Sequence, residues 1–413
     1  MVAAFSFRPC LLLLLCWLLA ATTGLGQVGT LTGSVRDSLT QAPLELASLF
    51  LANTTYGAST NDKGQFSLPN VPVGQYDLVI SYLGYKLYKR TIMVKPGPQT
   101  LALLLSPAAQ QLGEVVVRPN PNREADYQKF AKSFLGATSF SQQCRIRNPK
   151  DVYVEYDVDK NELTATSPTF VQIDNAALGY RVKYYGLHFT QNFKQRYMTF
   201  YGWPVFEELK PRNERQARRW ATNRQKAYRG SLSHFLHSVY TGQVTPEGFL
   251  VQKMRVVPNP RFPRADSLAQ ALRKARHNAP FSAADQDSLA RWTKVPRAFS
   301  MLYTTPRPLD SLRRAQPDSG RVWLRFRDYL QVTYLRESPD VAYPSSKPIS
   351  AQAAAALPPT GQISTLILLN QEVEIQKNGQ LYNPLAVFMD GYWGFEKMGE
   401  FLPLDYMPPT SAR

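Results

Sequence analysis

The chain has 413 residues, with 48 lysines and arginines against 31 aspartates and glutamates, a formal charge of +17. That length allows two or three domains of about 100–200 residues each. Its three cysteines include two inside an apolar leader, so Cys144 alone is left in the body and an internal disulfide framework is excluded.

In chain order, Arg8 precedes an apolar run from Cys10 to Ala21, and small residues lead to Gly26. This layout predicts a secretory signal peptide over residues 1–26, with a mature chain starting near Gln27. The run is short for a membrane span, and no later stretch reaches the roughly 20 apolar residues that a spanning helix needs. A lipoprotein reading would require a small residue before Cys16, where Leu15 stands.

Residues 28–107 predict seven short strands, near 30–36, 46–52, 56–60, 65–68, 76–83, 87–94 and 100–105. Asn61-Asp62-Lys63-Gly64 and Pro72-Val73-Gly74 mark turns. Tyr76, Leu78, Ile80 and Tyr82 alternate with Asp77, Val79 and Ser81, as in a half-buried strand. Such spacing favours a β-sandwich over a βαβ layout.

The stretch "GTLTGSVRDSLTQAPLELASLFLANTTYGASTNDKGQFSLPNVPVGQYDLVISYLGYK" resembles the carboxypeptidase regulatory-like domain. The likeness rests on Gly33-Ser34-Val35, Pro43-Leu44, the Thr60–Phe66 turn, Pro72–Tyr76 and Gly84-Tyr85, with "LGEVVV" (Leu112–Val117) fitting the closing segment. The resemblance implies a transthyretin-like sandwich and a place in the Gram-negative envelope, periplasmic or associated with the outer membrane. In carboxypeptidases this domain is accessory and carries no zinc, so no peptidase chemistry follows from it. In receptors that share the module a large barrel comes next; the remainder of this chain lacks the serial amphipathic strands of one.

Residues 108–123, with "RPNPN", predict a linker, and residues 124–413 a larger α+β domain. A helix is expected over Glu124–Leu135, followed by strands near 152–158, 163–165, 170–173, 181–189 and 196–201. A long helix is expected from Asn213 to beyond Val239, with Asn213 and Gln216 as a capping-box pair. A basic helical insertion is expected near residues 258–300, strands near 321–326 and 330–335, a mobile Pro/Ala-rich loop near 336–361, and a hairpin with a type I′ turn at Asn378-Gly379. The blocks "QCRIRNPKDVYVEYD", "LGYRVKYYGLHF", "KAYRGSLSHFLHSVY" and "GYWGFEKMGEFLPLDY" resemble envelope proteins named for the same regulatory-like domain. That resemblance implies architecture and location, and no chemistry.

No catalytic motif stands out, and neither a metal nor any other cofactor is expected. "GLGQVG" (Gly24–Gly29) follows the leader instead of a strand and so fails as a dinucleotide loop. His234 and His237 are three apart on a helix, but no third ligand or HExxH pattern accompanies them. Ser231, close to His234, reads as a small helix residue that admits a neighbour, not as a nucleophile presented on a turn. Three acidic pairs lie near aromatics: Glu207/Glu208, Asp157/Asp159 and Glu396/Glu400. Asp390 and Trp393, in "DGYW", are sugar-binding candidates, with core packing of the tryptophan as the alternative.

Charge is the strongest hint. Between Val205 and Ser300 there are 18 Lys or Arg and 7 Asp or Glu. Arg215, Arg219 and Arg224 are the binding candidates on the long helix, with His234 at its apolar edge. Arg224 points into the apolar face, where a buried ion pair is the alternative. The expected function is a non-catalytic binding or assembly module of the envelope that engages an anionic partner, either an envelope protein or an anionic polymer or glycolipid. Nucleic acid is disfavoured by export. The alternative is an envelope hydrolase acting on glycan or peptide through carboxylates around Asp390. A deep cleft holding two carboxylates would favour the enzyme; a flat basic face would favour binding.

Overall fold

The computed structural model describes residues 27–108, 121–277, 279–344 and 361–408. The expected signal peptide, most of the expected linker with "LGEVVV", and residues 345–360 of the expected loop lie outside the described residues. The chain divides into two compact units.

The first unit has seven strands: β1 (Val28–Asp37), β2 (Ser48–Leu51), β3 (Gly57–Ser59), β4 (Gln65–Pro72), β5 (Gly74–Ser81), β6 (Tyr88–Val94) and β7 (Gly97–Leu105). They form a three-stranded sheet, β4-β1-β7, and a four-stranded sheet, β3-β2-β5-β6. Both expected turns are present. At the first, Asn61 Oδ1 accepts from the Lys63 and Gln65 amides at 3.0 and 2.8 Å, and Gly64 takes φ +70°. Leu31, Val35, Leu49, Leu78, Ile80 and Leu103 meet in the core. Val79, on the other face of β5, is also buried, as is its cross-strand neighbour Phe50. The Gly84-Tyr85 motif has a structural task. Tyr85 donates to Asp37 Oδ2 at 2.5 Å, while Asp37 Oδ1 accepts from the Leu39 and Thr40 amides and closes the turn after β1.

The second unit begins with α1 (Arg123–Leu135), whose Tyr127, Phe130 and Phe134 are buried. Strands β8 (Cys144–Ile146), β9 (Tyr153–Asp157), β10 (Glu162–Thr166), β11 (Phe170–Asn175), β12 (Tyr180–Asn192) and β13 (Tyr197–Glu208) form a six-stranded sheet, in the order β8-β11-β12-β10-β9 with β13 paired to β12. Val158 departs from the expected alternation: it lies in the turn after β9 and is 77% exposed.

The expected long helix is two helices, α2 (Glu214–Tyr228) and α3 (Leu232–Thr241). Gly230 breaks it by taking φ +76°. Ser231 is then the N-cap of α3, its hydroxyl accepting from the His234 amide at 3.2 Å, and not the mid-helix residue expected. A Cβ at Gly230 would sit 2.2 Å from Gln362 Oε1 and 2.8 Å from the Tyr334 ring. Gly230→Ala should therefore cost about 2–4 kcal/mol in chemical denaturation, from left-handed strain plus overpacking. An unchanged midpoint would contradict this reading of the break.

Beyond α3, β14 (Phe249–Pro258), β15 (Ala298–Pro306), β18 (Tyr329–Tyr334), β19 (Gln362–Leu368) and β21 (Val387–Gly391) make a five-stranded sheet, in the order β15-β14-β18-β19-β21. A three-stranded sheet comprises β16 (Arg313–Gln316), β17 (Arg321–Arg325) and β20 (Glu372–Ile375). Phe235, Leu236 and Val239 of α3 pack with Phe249, Leu324, Val332, Leu366 and Ile375, so this helix joins the two sheets in one core. Helices α4 (Phe262–Ala275) and α5 (Ala283–Thr293) fill the excursion between β14 and β15. A short helix, α6 (Tyr392–Phe395), follows β21.

Two further expectations are corrected. Residues 336–344 of the expected mobile loop are pinned: Ser139 Oγ donates to Asp340 Oδ2 at 2.6 Å, and Tyr343 packs against Tyr392 and Phe395. The turn at Asn378-Gly379 is not type I′, which needs positive φ at both residues. Only Gly379 has it, at +80°, and its amide bonds Gln376 O while Gln376 N bonds Gln380 O, the pattern of a three-residue loop closed by a glycine.

Candidate functional site

Helix α2 has two chemically different sides. Asn213 caps it by accepting from the Gln216 amide at 2.9 Å; in return Gln216 Oε1 accepts from the Arg212 amide, one residue short of a true capping box. On the inner side Trp220 Nε1, Asn223 Nδ2 and Arg224 Nε donate to the carbonyls of Ala176, Ala177 and Leu178 at 2.9, 2.7 and 2.8 Å. Arg224 also donates to Gly179 O and Glu208 Oε1, at 3.2 and 3.0 Å, and lies over the Tyr180 ring at 4.0 Å. Every nitrogen of its guanidinium is thus committed to the fold, so Arg224 is a staple and not a ligand arginine.

The outer side carries Arg215, Arg219 and Lys226, all exposed. At 100° per residue they fall within about 40° of one another and extend over roughly 16 Å of helix. Among the described residues Arg215 and Arg219 form no salt bridge, whereas Arg218 on the flank pairs with Glu214 at 3.5 Å and Lys226 feels Glu337, Asp340 and Glu400 at longer range. The stripe continues to Arg229, 4.0 Å from Glu337, beside a shallow hollow of about 390 Å³ that Thr222, Gln225 and Lys226 also line.

His234 and Trp393 are placed in the core instead of at a site. His234 Nδ1 accepts from the Gly230 amide at 3.1 Å, which leaves the other nitrogen to carry the proton of the neutral ring, facing Glu247 Oε2 at 3.3 Å. Burial among aromatic rings lowers its pKa to about 4, against a smaller upward pull from Glu247. The Trp393 indole donates to Gly230 O at 2.7 Å, and the ring packs on Phe235. Both residues hold the α2–α3 break. His237 is half-buried, and its Nδ1 donates to the Lys377 carbonyl at 2.7 Å.

The acidic pairs separate clearly. Glu207 pairs with Lys183 at 2.6 Å, Glu208 with Arg224, and Asp157 with Lys160 at 2.9 Å. Glu396 and Glu400 differ. Burial, then repulsion from Glu400 and Glu337, pushes Glu396 well above the usual carboxylate range. Burial raises Glu400 to about 7, although the Thr138 hydroxyl donates to it. Glu337 is raised by burial as well. Asp340 is not: its hydrogen bonds from Ser139 and the Ala342 amide outweigh the burial that would raise it. Sequence reasoning missed Glu337 and Asp340 because they lie in the segment it read as a mobile loop.

A second hollow, of about 510 Å³, lies between the end of α1, the β12–β13 turn and β21. Asp390 is exposed and is the single carboxylate on its wall. Glu396 and Glu400 line neither hollow. The structure therefore brings together Arg215 and Arg219 with Lys226, keeps Asp390 apart from them in the larger hollow, and removes Arg224, His234 and Trp393 to the interior.

Residues 31–117 match the CarboxypepD_reg-like domain family, so the first unit is a domain of that kind. Among solved structures, a group B streptococcus pilus 2b backbone protein is 18% identical, covers 20% of this chain and 42% of its own, and has a TM-score of 0.18. Klebsiella pneumoniae 5-hydroxyisourate hydrolase is 20% identical over 19% of this chain and 91% of its own, with a TM-score of 0.18. A 3-chlorocatechol 1,2-dioxygenase from Rhodococcus opacus 1CP is 13% identical over 20% of this chain and 61% of its own, with a TM-score of 0.17. No curated protein matches the chain. Among the described residues no helix is long and apolar enough to cross a membrane.

Proposed function

We propose that the protein is a non-catalytic binding or assembly component of the Gram-negative cell envelope, exported to the periplasm or held at the outer membrane, which engages an anionic partner through the outer side of α2. The observation that carries this reading is the stripe of Arg215, Arg219 and Lys226, exposed and aligned, in which the two arginines have no carboxylate partner in salt-bridge contact among the described residues. A row of solvated cations attracts a run of phosphates or carboxylates, and guanidinium groups can grip them bidentately. An anionic polymer or glycolipid offers such a run, and so does an acidic envelope protein. The leader-like stretch and the regulatory-like front domain support that location. Capture from solubilised envelope with the wild-type protein and with R215E/R219E/K226E tests the reading: the variant should lose the retained partner, and equal retention would sink the proposal.

A hydrolase acting on glycan or peptide is the second reading. The raised protonation of Glu396 and Glu400 favours it, because a carboxyl protonated near neutrality can serve as a general acid. Their absence from both hollow walls weighs against it. Turnover of glycan or peptide substrates that Glu400→Gln abolishes would promote this reading over the first.

A further inference from the structure

The larger hollow of the second unit has a composition that suits a particular ligand. Its volume, about 510 Å³, is in the range of small-molecule sites. Three cations, Lys132, Arg196 and Lys397, and one carboxylate, Asp390, leave its wall net positive. Lys397 is partly buried, which lowers its pKa, and its ammonium donates to the Gly394 carbonyl. The ring faces come from Phe193 and Phe388, which are 37% and 39% exposed, together with Phe395 and Tyr197. Gln191 also lines the hollow, although its side-chain oxygen is itself buried.

We infer that this hollow is a saccharide site that takes an acidic sugar, a uronate unit of a glycan. A pyranose ring presents an apolar C–H face that exposed aromatic rings cover, removing both surfaces from water. Its hydroxyls need an acceptor, which the exposed Asp390 offers, and its carboxylate needs the cations of the wall. A neutral sugar would leave the net positive charge of the wall unmatched; a bare anion would leave the aromatic side chains wet. Asp390 Oδ1 already accepts from the Gly391 amide at 2.7 Å, which orients the carboxylate and leaves Oδ2 to accept from a ligand hydroxyl. The inference rests on the reading of the protein as a binder of anionic envelope components, and names a sugar-recognising site separate from α2.

Calorimetric titration with trigalacturonate, with neutral trigalactose and with inorganic phosphate is the test. Saturable binding of trigalacturonate is expected, at least tenfold tighter than the neutral trimer or phosphate. Lys132→Glu and Phe388→Ala, both at exposed positions, should each weaken it at least tenfold while leaving the thermal melt unchanged. R215E/R219E/K226E should leave it intact. Binding of phosphate as tight as of the trimer would reduce the hollow to a generic anion site and overturn the inference. So would loss of trigalacturonate binding in the α2 variant alone, which would place the sugar on α2 and leave the general binding reading standing. No binding of trigalacturonate at all overturns the inference without touching capture by α2.

Discussion

Glu400→Gln should stabilise the protein by on the order of 2 kcal/mol at pH 8 and change little at pH 4. Burial raises the Glu400 carboxyl from 4.5 to about 7 in the folded state. An acid whose folded pKa is raised binds its proton more tightly when folded. The stability it contributes is complete below the unfolded value of 4.5, and is lost as pH rises through 7. A glutamine in its place keeps the acceptor for the Thr138 hydroxyl and never ionises. The shift alone corresponds to about 3 kcal/mol; the residual solvent access of the side chain argues for the smaller figure. Glu396→Gln should act in the same sense, and because Glu396 and Glu400 repel each other the double variant should gain less than the sum. His234 works in the opposite direction: with a folded value of about 4, it loses stability for the fold as pH falls from 6.5 through 4. Denaturant midpoints at pH 4, 6 and 8 read these effects. A Glu400→Gln protein less stable than wild type at pH 8 would mean that the buried carboxylate is compensated by its surroundings.

Trp393→Ala should cost about 4 kcal/mol, and Trp393→Phe about 1–3 kcal/mol. The alanine leaves a cavity against Phe235 in the core that α3 shares with two sheets. The phenylalanine keeps most of the volume but orphans the buried Gly230 carbonyl, which loses the indole donor at 2.7 Å. Folded Trp393→Phe protein should bind anionic ligands as wild type does, since the ring reaches no exposed surface. A cost below about 1 kcal/mol for the alanine, or selective loss of binding in the phenylalanine variant, would return Trp393 to the list of site residues.

Much of this was legible in the sequence where local patterns decide structure. The seven strands of the front domain follow their turn residues, because Asn61 and Gly64 close a turn with their own backbone. Arg224 could be placed on the inner side of a helix from phase alone, and its carbonyl partners explain how that charge is accommodated. Other features depend on distant contacts. The break between α2 and α3 is held by Trp393, 163 residues away, so a helical pattern that runs through Gly230 reads as continuous. β14 escaped notice because burial stops after Gln252 and its second half extends into the exposed pairing with β15. Asp340 is ordered by Ser139, 201 residues away, which no reading of "ESPDVAYP" as a polar excursion could reveal. The exposed arginines were visible as composition; that Arg215 and Arg219 lack a salt-bridge partner among the described residues while Arg218 has one was not.

The outer side of α2 is proposed to hold an anionic partner. The most direct measurement is binding of the full chain to vesicles carrying an anionic glycolipid, across a salt series from about 0.05 to 0.5 M, with R215E/R219E/K226E alongside. The account predicts wild-type binding that weakens steadily with salt and is at least tenfold poorer in the variant at every salt, with neutral vesicles bound by neither. Equal binding by wild type and variant would contradict it, and would move the partner-binding surface away from α2.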